Sequence, residues 1–100
     1  MDRETYKDPP TRWEKTASHE ATGRSAFQRT VDFMNTGNNE GSMTVEVQVM
    51  ENTGTIIAET SMYIEWEYHG GVRVDFATDG QSITLTGSDG DIEIVPLPAK

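Results

Sequence analysis

The chain has 100 residues, no cysteine, 34% hydrophobic residues and a formal net charge of −9. This length suits one small domain with a single hydrophobic core. The absence of cysteine excludes disulfides, thiolate metal sites and cysteine nucleophiles. No apolar run approaches the ~20 residues that a membrane helix needs, and the N-terminus lacks the apolar core of a secretory signal. We therefore expect a cytoplasmic protein.

The negative charge is concentrated in the second part of the chain. Residues 1–41 contain six Lys/Arg against seven Asp/Glu, a net of −1, and residues 42–100 contain two against ten, a net of −8. Phosphate contacts need clustered Lys and Arg, so we expect neither direct nucleic-acid binding nor attraction to anionic membranes. Solubility is the simplest explanation of the charge, and a basic protein partner is the functional one.

Residues 1–17 have the composition of a flexible arm. Pro9-Pro10, alternating charges and little apolar material predict extended or disordered backbone. Trp13 lies in this arm, and tryptophan is over-represented among the residues that anchor interfaces. Trp13 is therefore a candidate partner-binding residue, with packing against the domain's own core as the alternative. Residues 18–100 then form a single globular domain.

Residues 18–35 are predicted to form an amphipathic helix. Ser18 can cap its N-terminus, and Gly37 stands where a left-handed residue ends many helices. The apolar residues that group on one side of the helical wheel are Ala26, Phe27, Val31, Phe33 and Met34. A strand competes with this interpretation, because the two phenylalanines and the valine also share strand parity. That register would turn Arg29 into the core.

Five strands joined by short turns are predicted after the helix. Alternation of apolar and polar residues is typical of half-buried strands, and Asp79-Gly80 is a tight-turn dipeptide. Pro96 and Pro98 end the pairing. The positions predicted to face the core are Met43, Val45, Val47, Val49, Ile56, Ala58, Thr60, Met62, Ile64, Trp66, Tyr68, Val72, Val74, Phe76, Ile83, Leu85, Ile92 and Ile94.

These elements predict an α+β fold, with one N-terminal amphipathic helix packed on a five-stranded antiparallel β-meander. Such a sheet needs a cover over its apolar face, and the helix is the only spare element large enough. If residues 26–34 form a strand instead, the alternative is an all-β six-stranded barrel or sandwich.

The sequence offers no catalytic constellation. Its two histidines, His19 and His69, lie near a predicted helix start and in a glycine turn, without a recognisable triad. Asp89, Asp91 and Glu93 alternate as oxygen ligands of cations do, but they lead directly into a strand, which favours a hairpin turn. Glycine-rich nucleotide motifs are absent. We expect no enzymatic activity, no metal site and no cofactor.

The strongest functional signal is a set of acidic residues at strand positions opposite the predicted core. Like charges on neighbouring strands repel, and an uncompensated cluster of them attracts and docks a basic surface. The candidate partner-binding residues on this predicted face are Glu46, Glu59, Tyr63, Glu65, Glu67, Asp75 and Glu93. The alternative is an ordinary solvated sheet face, or one neutralised by the Lys and Arg residues of the arm.

We therefore predict a small non-catalytic interaction protein, an inhibitor or adaptor that docks a basic surface of a protein partner through its acidic sheet face. A nucleic-acid-binding protein is one such partner, engaged by mimicry of phosphates as a viral or mobile-element protein would do. One alternative is a structural subunit that forms homodimers through sheet edges and the arm. A second alternative is a small-ligand or carbohydrate binder that uses Tyr63, Trp66 and Tyr68.

Overall fold

The computed structural model describes residues 6–7 and 10–99, which form eight β-strands in two antiparallel sheets and no helix. The strands are β1 (Tyr6–Lys7), β2 (Glu14–His19), β3 (Arg24–Gly37), β4 (Glu40–Met50), β5 (Ile56–Glu67), β6 (Val72–Phe76), β7 (Ser82–Gly87) and β8 (Ile92–Pro96). Within these residues there is thus no helix with the length and apolarity that membrane crossing requires.

The larger sheet contains β1 to β5 and is four strands wide. β1 and β2 pair with opposite ends of the same edge of β3, and β4 and β5 follow on its other side. The smaller sheet contains β6, β7 and β8 in chain order. The two sheets pack their inner faces against each other, which is the arrangement of a β-sandwich.

The predicted α+β fold with a helix over residues 18–35 is wrong. Ser18 and His19 end β2, residues 20–23 form a turn, and β3 begins at Arg24. Gly23 has a φ of 73°, a left-handed conformation that glycine adopts without steric cost. The all-β alternative has the right fold class, and residues 26–34 do lie in a strand, but the described residues form eight strands in two sheets instead of six.

Pairing with β4 decides the conformation of β3. Asn38 and Asn39 join the two strands with φ values of 57° and 59°, as a two-residue type I′ hairpin turn requires. The strands then pair from Gly37 opposite Glu40 to the far end of the hairpin. Helical periodicity is a weak local preference, and a long hairpin with one buried face outweighs it.

The register also changes the direction of the β3 side chains. Phe27 and Arg29 pair with outward-facing residues of β4, so this parity of the strand lies on the outer face and Arg29 stays out of the core. An extra residue near Asp32, which has a φ of 51°, forms a bulge and reverses the alternation. Phe33 therefore points inward and stacks on Trp66, with ring centroids 5.4 Å apart.

The hydrophobic core lies between the inner faces of the two sheets. Its buried side chains from the larger sheet are Ala26, Met43, Val45, Val47, Val49, Met62, Ile64 and Trp66. The smaller sheet and the segment after it contribute Val72, Val74, Ile83, Leu85 and Leu97. The smaller sheet thus covers the apolar face that the helix was predicted to cover.

The side chains of β8 face the opposite way from the prediction. Ile92 and Ile94 are 67% and 68% exposed, although both were predicted to face the core. Glu93 pairs with the buried Leu85, so it lies on the core side of the smaller sheet, at an edge where it stays exposed. Tyr68 also differs from its predicted place: it follows the end of β5 with a φ of 68° and is 76% exposed.

The predicted arm, residues 1–17, lies partly outside the described residues, which omit 1–5, 8 and 9. Within it, Tyr6–Lys7 form β1, and β2 begins at Glu14. Thr11 bonds to β3 as well, because its backbone N–H donates to the carbonyl oxygen of Thr30 at 2.9 Å. The flexibility of the arm and the domain boundary at residue 18 stay predictions.

Candidate functional site

The division into two sheets distributes the predicted partner-binding residues over different surfaces. The residues that share the outer face of the larger sheet are Glu46, Glu59, Tyr63, Glu65 and Glu67. Asp75 lies on the outer face of the smaller sheet, and Glu93 lies at the edge of that sheet on its core side. The single acidic face of the prediction is therefore reduced to the group on β4 and β5.

Glu46 is neutralised by the chain itself. Arg29 Nε donates a hydrogen bond to Glu46 Oε1 at 2.7 Å. The guanidinium carbon of Arg29 lies 4.7 Å from the centroid of the half-buried Trp13 ring, a cation–π arrangement. Lys15 lies close by, with its Nζ 6.0 Å from the centroid of the Phe27 ring. The β2–β3 side of this face therefore carries cations, and Trp13 packs against its own domain.

Asp75 is also paired. Arg73 Nε donates to Asp75 Oδ2 at 2.7 Å, and both side chains are exposed. The hydrogen bond from Arg73 to Asp75, together with the negative charge of that carboxylate, raises the pKa of Arg73 above its usual range. Such an exposed pair contributes little to stability, and it leaves Asp75 with its charge compensated.

A cleft of about 640 Å³ lies where β4 begins and β5 ends, and we call it the acidic cleft. It is defined by four carboxylates, those of Glu40, Glu65, Glu67 and Asp89. The other lining residues are Thr36, Gly41, Ser42, Tyr63, Trp66, His69 and Ser88. In the part of the chain that the structure describes, no Lys or Arg forms an ion pair with any of the four carboxylates.

Strand register and sheet packing bring these carboxylates together. Glu40 pairs directly with Glu67 across the β4–β5 ladder, an arrangement in which like charges repel. Asp89 comes from the turn between β7 and β8. Its Oδ1 accepts a hydrogen bond from the backbone N–H of Asp91 at 3.1 Å, and its Oδ2 accepts one from Glu65 N at 3.4 Å. Asp89 thus links the smaller sheet to β5.

Trp66 forms the floor of the acidic cleft. The side chain is 7% exposed, and two glycines lie against its ring. A Cβ atom at Gly41 would lie 2.6 Å from Trp66 Cζ2, and one at Gly70 would lie 2.7 Å from Trp66 Cδ1. The indole Nε1 is buried and has no hydrogen-bond partner among the described residues. The two glycines therefore allow the close packing that holds this ring in place.

Two residues of the acidic cleft were missed in the sequence. Glu40 lies outside the strands predicted from the sequence, and Asp89 lies in a predicted hairpin turn. The pair Asn38-Asn39 was a usable signal, because a type I′ turn makes the next residue the start of a strand. No local pattern indicates that Asp89 reaches β5, since this contact depends on how the two sheets pack.

Two of the three aromatic residues of the small-ligand alternative line the acidic cleft, namely Tyr63, which is 58% exposed, and the largely buried Trp66. Tyr68 follows the end of β5 and is not among the lining residues. The histidines also lie apart: His69 lines the acidic cleft, and His19 Nε2 bonds to the carbonyl oxygen of Thr78 at 2.8 Å. No three His, Asp or Glu side chains within residues 10–99 are arranged to hold a metal ion.

The chemistry of the acidic cleft favours a cationic ligand. Its carboxylates attract and accept hydrogen bonds from ammonium or guanidinium groups. The exposed ring of Tyr63 offers a face for cation–π contact, and the hydroxyls of Ser42 and Ser88 add polar partners.

No protein-family model, curated protein or solved structure matches the chain.

Proposed function

We propose that the chain is a non-catalytic interaction protein, an inhibitor or adaptor that binds a basic segment of a protein partner. The binding site is the acidic cleft together with the adjoining outer face of β5. The observation that supports this function is the set of carboxylates at Glu40, Glu65, Glu67 and Asp89, which no described Lys or Arg neutralises. The proposal includes that the protein acts in the cytoplasm and that its partner is a nucleic-acid-binding protein.

A contrast within the molecule supports the proposal. Glu46 and Asp75 were predicted as partner-binding residues, yet each accepts a hydrogen bond from an arginine of its own chain at 2.7 Å. The chain has only eight Lys and Arg residues, and no described one is paired with a carboxylate of the acidic cleft. The carboxylates of the cleft are thus available for a partner's cations.

Charge also predicts how binding responds to salt. The attraction between exposed charges is screened over a Debye length of about 8 Å at physiological ionic strength and about 3 Å at 1 M. Association with a basic partner should therefore slow steeply between these conditions, mainly through the association rate. A partner whose binding is indifferent to salt would not use the acidic cleft.

The test uses a fluorescein-labelled oligolysine peptide as probe and measures its binding by fluorescence anisotropy at several salt concentrations. The double variant Glu65→Lys, Glu67→Lys should bind at least about tenfold more weakly and show a flatter salt dependence. The control variant Glu14→Lys, Glu20→Lys makes the same charge change at exposed positions across β3 and β4 from the cleft. Equal loss in both variants would mean that only net charge matters, and the proposal would fail.

A second candidate function is self-association through β8. The side chains of Ile92 and Ile94 are exposed on this edge strand. The odd-numbered residues Asp91 and Leu97 form backbone hydrogen bonds on the side of β7. The backbone groups of the even-numbered Ile92 and Ile94 therefore face away from β7, where another strand can pair with them. The inward-facing Glu93 opposes such pairing, since charges of this kind blunt sheet edges. A monomeric mass by light scattering at high micromolar concentration would exclude this candidate. The arm, residues 1–17, was also predicted to take part in self-association, and it lies partly outside the described residues.

A further inference from the structure

The free edge of β5 exposes backbone hydrogen-bonding groups. In an antiparallel ladder the backbone groups of successive residues point alternately toward and away from the neighbouring strand. Tyr68 N bonds toward Asn39 O, across the β4–β5 hairpin, whereas Glu65 N bonds to Asp89, away from β4. The odd-numbered residues of β5 therefore direct their N–H and C=O groups away from β4.

Three of these residues have unpaired backbone groups, namely Glu59, Ser61 and Tyr63. Among residues 6–7 and 10–99, no backbone or side-chain group bonds to their outward N–H or C=O. The ladder behind them is regular, because β5 pairs with β4 without a register shift from Ala58 to Glu67. A regular, unbulged edge of this kind accepts an additional strand.

The side chains along the same edge are acidic and face the solvent. Glu59 and Glu65 lie on the outer face with Tyr63 between them, and all three are exposed. The edge leads directly into the acidic cleft, because Tyr63 and Glu65 line that cleft as well. Backbone groups and carboxylates are thus available to one and the same extended ligand.

We propose that a basic segment of the partner binds as an additional strand on the free edge of β5, with Lys or Arg at alternate positions. This inference rests on the proposed function and specifies the conformation and pattern of the ligand. Backbone hydrogen bonds hold the segment, and every second side chain reaches Glu59 or Glu65 on the outer face. The intervening side chains point to the inner side of the larger sheet, which carries the buried Met62 and Ile64 of β5.

The charges on this edge select the kind of strand. A second copy of β5 would bring two rows of carboxylates together on one face, which is unfavourable. A strand with alternating cations instead places opposite charges on neighbouring strands, where each such pair stabilises the sheet. The edge of β5 therefore rejects its own copy and accepts a basic partner.

The experiment compares two labelled peptides of about seven residues, which span about 23 Å as an extended strand. One alternates Lys and Val, and the other has the same composition with the lysines grouped at one end. We expect the alternating peptide to bind at least about fivefold more tightly, because it alone can form the backbone bonds and present its charges on one face.

The variant Ser61→Pro tests the backbone bonds within the protein. It removes an N–H that points away from β4 and leaves the β4–β5 ladder intact, as proline at an exposed sheet edge does. We expect this variant to bind the alternating peptide at least about fivefold more weakly. Ser61→Ala removes the hydroxyl and retains the N–H, so it should bind like the unmodified protein.

Methylated peptides test the same contact without altering the protein. One alternating peptide is methylated at the backbone amides of its lysines, and a second is methylated at those of its valines. Because only alternate amides of a paired strand face the neighbouring strand, one of these peptides should lose binding and the other should keep it. Equal behaviour of these two peptides would overturn the inference.

Failure of the inference differs from failure of the proposed function. If both the alternating and the grouped peptide bind equally well, and both depend on Glu65 and Glu67, only strand addition is refuted. If neither peptide binds, or if reversing those two charges changes nothing, the proposed function fails and the inference fails with it.

Discussion

Replacing Gly41 by alanine should strongly destabilise the fold. A Cβ atom at this position would collide with the carbonyl oxygen of Met34 and lie 2.6 Å from Trp66 Cζ2. The Met34 atom belongs to the backbone of β3, so a side-chain rotation cannot relieve the collision. The β3–β4 hairpin must open locally, and the Trp66 ring must leave its stacked position on Phe33.

The magnitude follows from these contacts. Overpacking a close-packed site costs about 1–3 kcal/mol, a lost backbone hydrogen bond about 0.5–1.5 kcal/mol, and a lost aromatic pair about 0.5–1.5 kcal/mol. We expect the free energy of unfolding to fall by about 4 kcal/mol, out of a total of roughly 5–15 kcal/mol for a domain of this size. The melting temperature should fall by at least about 15 °C.

Urea unfolding followed by circular dichroism measures this change. Gly71→Ala is the matched control, because a Cβ atom there meets no atom within 4 Å and its φ is not positive. We expect the control to remain within about 0.5 kcal/mol of the unmodified protein. If Gly41→Ala were equally harmless, Trp66 would not lie over Gly41 and would not form the floor of the acidic cleft.

Two further predictions concern other surfaces. Trp13→Ala should lower the free energy of unfolding by about 1 kcal/mol, because the cation–π contact with Arg29 is lost, and Trp13→Phe should retain most of it in the same urea assay. Ile92→Lys with Ile94→Lys should change stability by no more than about 0.5 kcal/mol at each exposed site. If β8 mediates self-association, this pair should abolish the concentration dependence of light scattering, and an unchanged dependence would exclude β8.

Local patterns in the sequence sufficed for the central strands. The valines of β4 and the run Met62, Ile64 and Trp66 of β5 alternate with polar residues, and all of them are buried as predicted. Alternation is a reliable signal here because successive side chains of a strand point to opposite faces, whatever the partner strands are. The outward direction of Glu59, Glu65 and Glu67 follows from the same rule.

The same signal failed where a pattern fitted two structures. The apolar residues of β3 match a helix as well as a strand, and the bulge at Asp32 changes their direction within the strand. In β8, Ile92 and Ile94 alternate with polar residues as core residues do, yet they face the solvent. Their orientation depends on the register with β7, which is set by pairing between distant residues.

The sequence by itself thus determined which residues alternate, where most turns lie, and that the carboxylates of β5 share one face. Only the tertiary structure decided that the chain forms two sheets, that Arg29 neutralises Glu46, and that Asp89 joins β5 at the acidic cleft. The physical reason is one of range. Side-chain alternation arises from the geometry of a single strand, whereas sheet packing and ion pairing depend on which distant surfaces bury the most apolar area together.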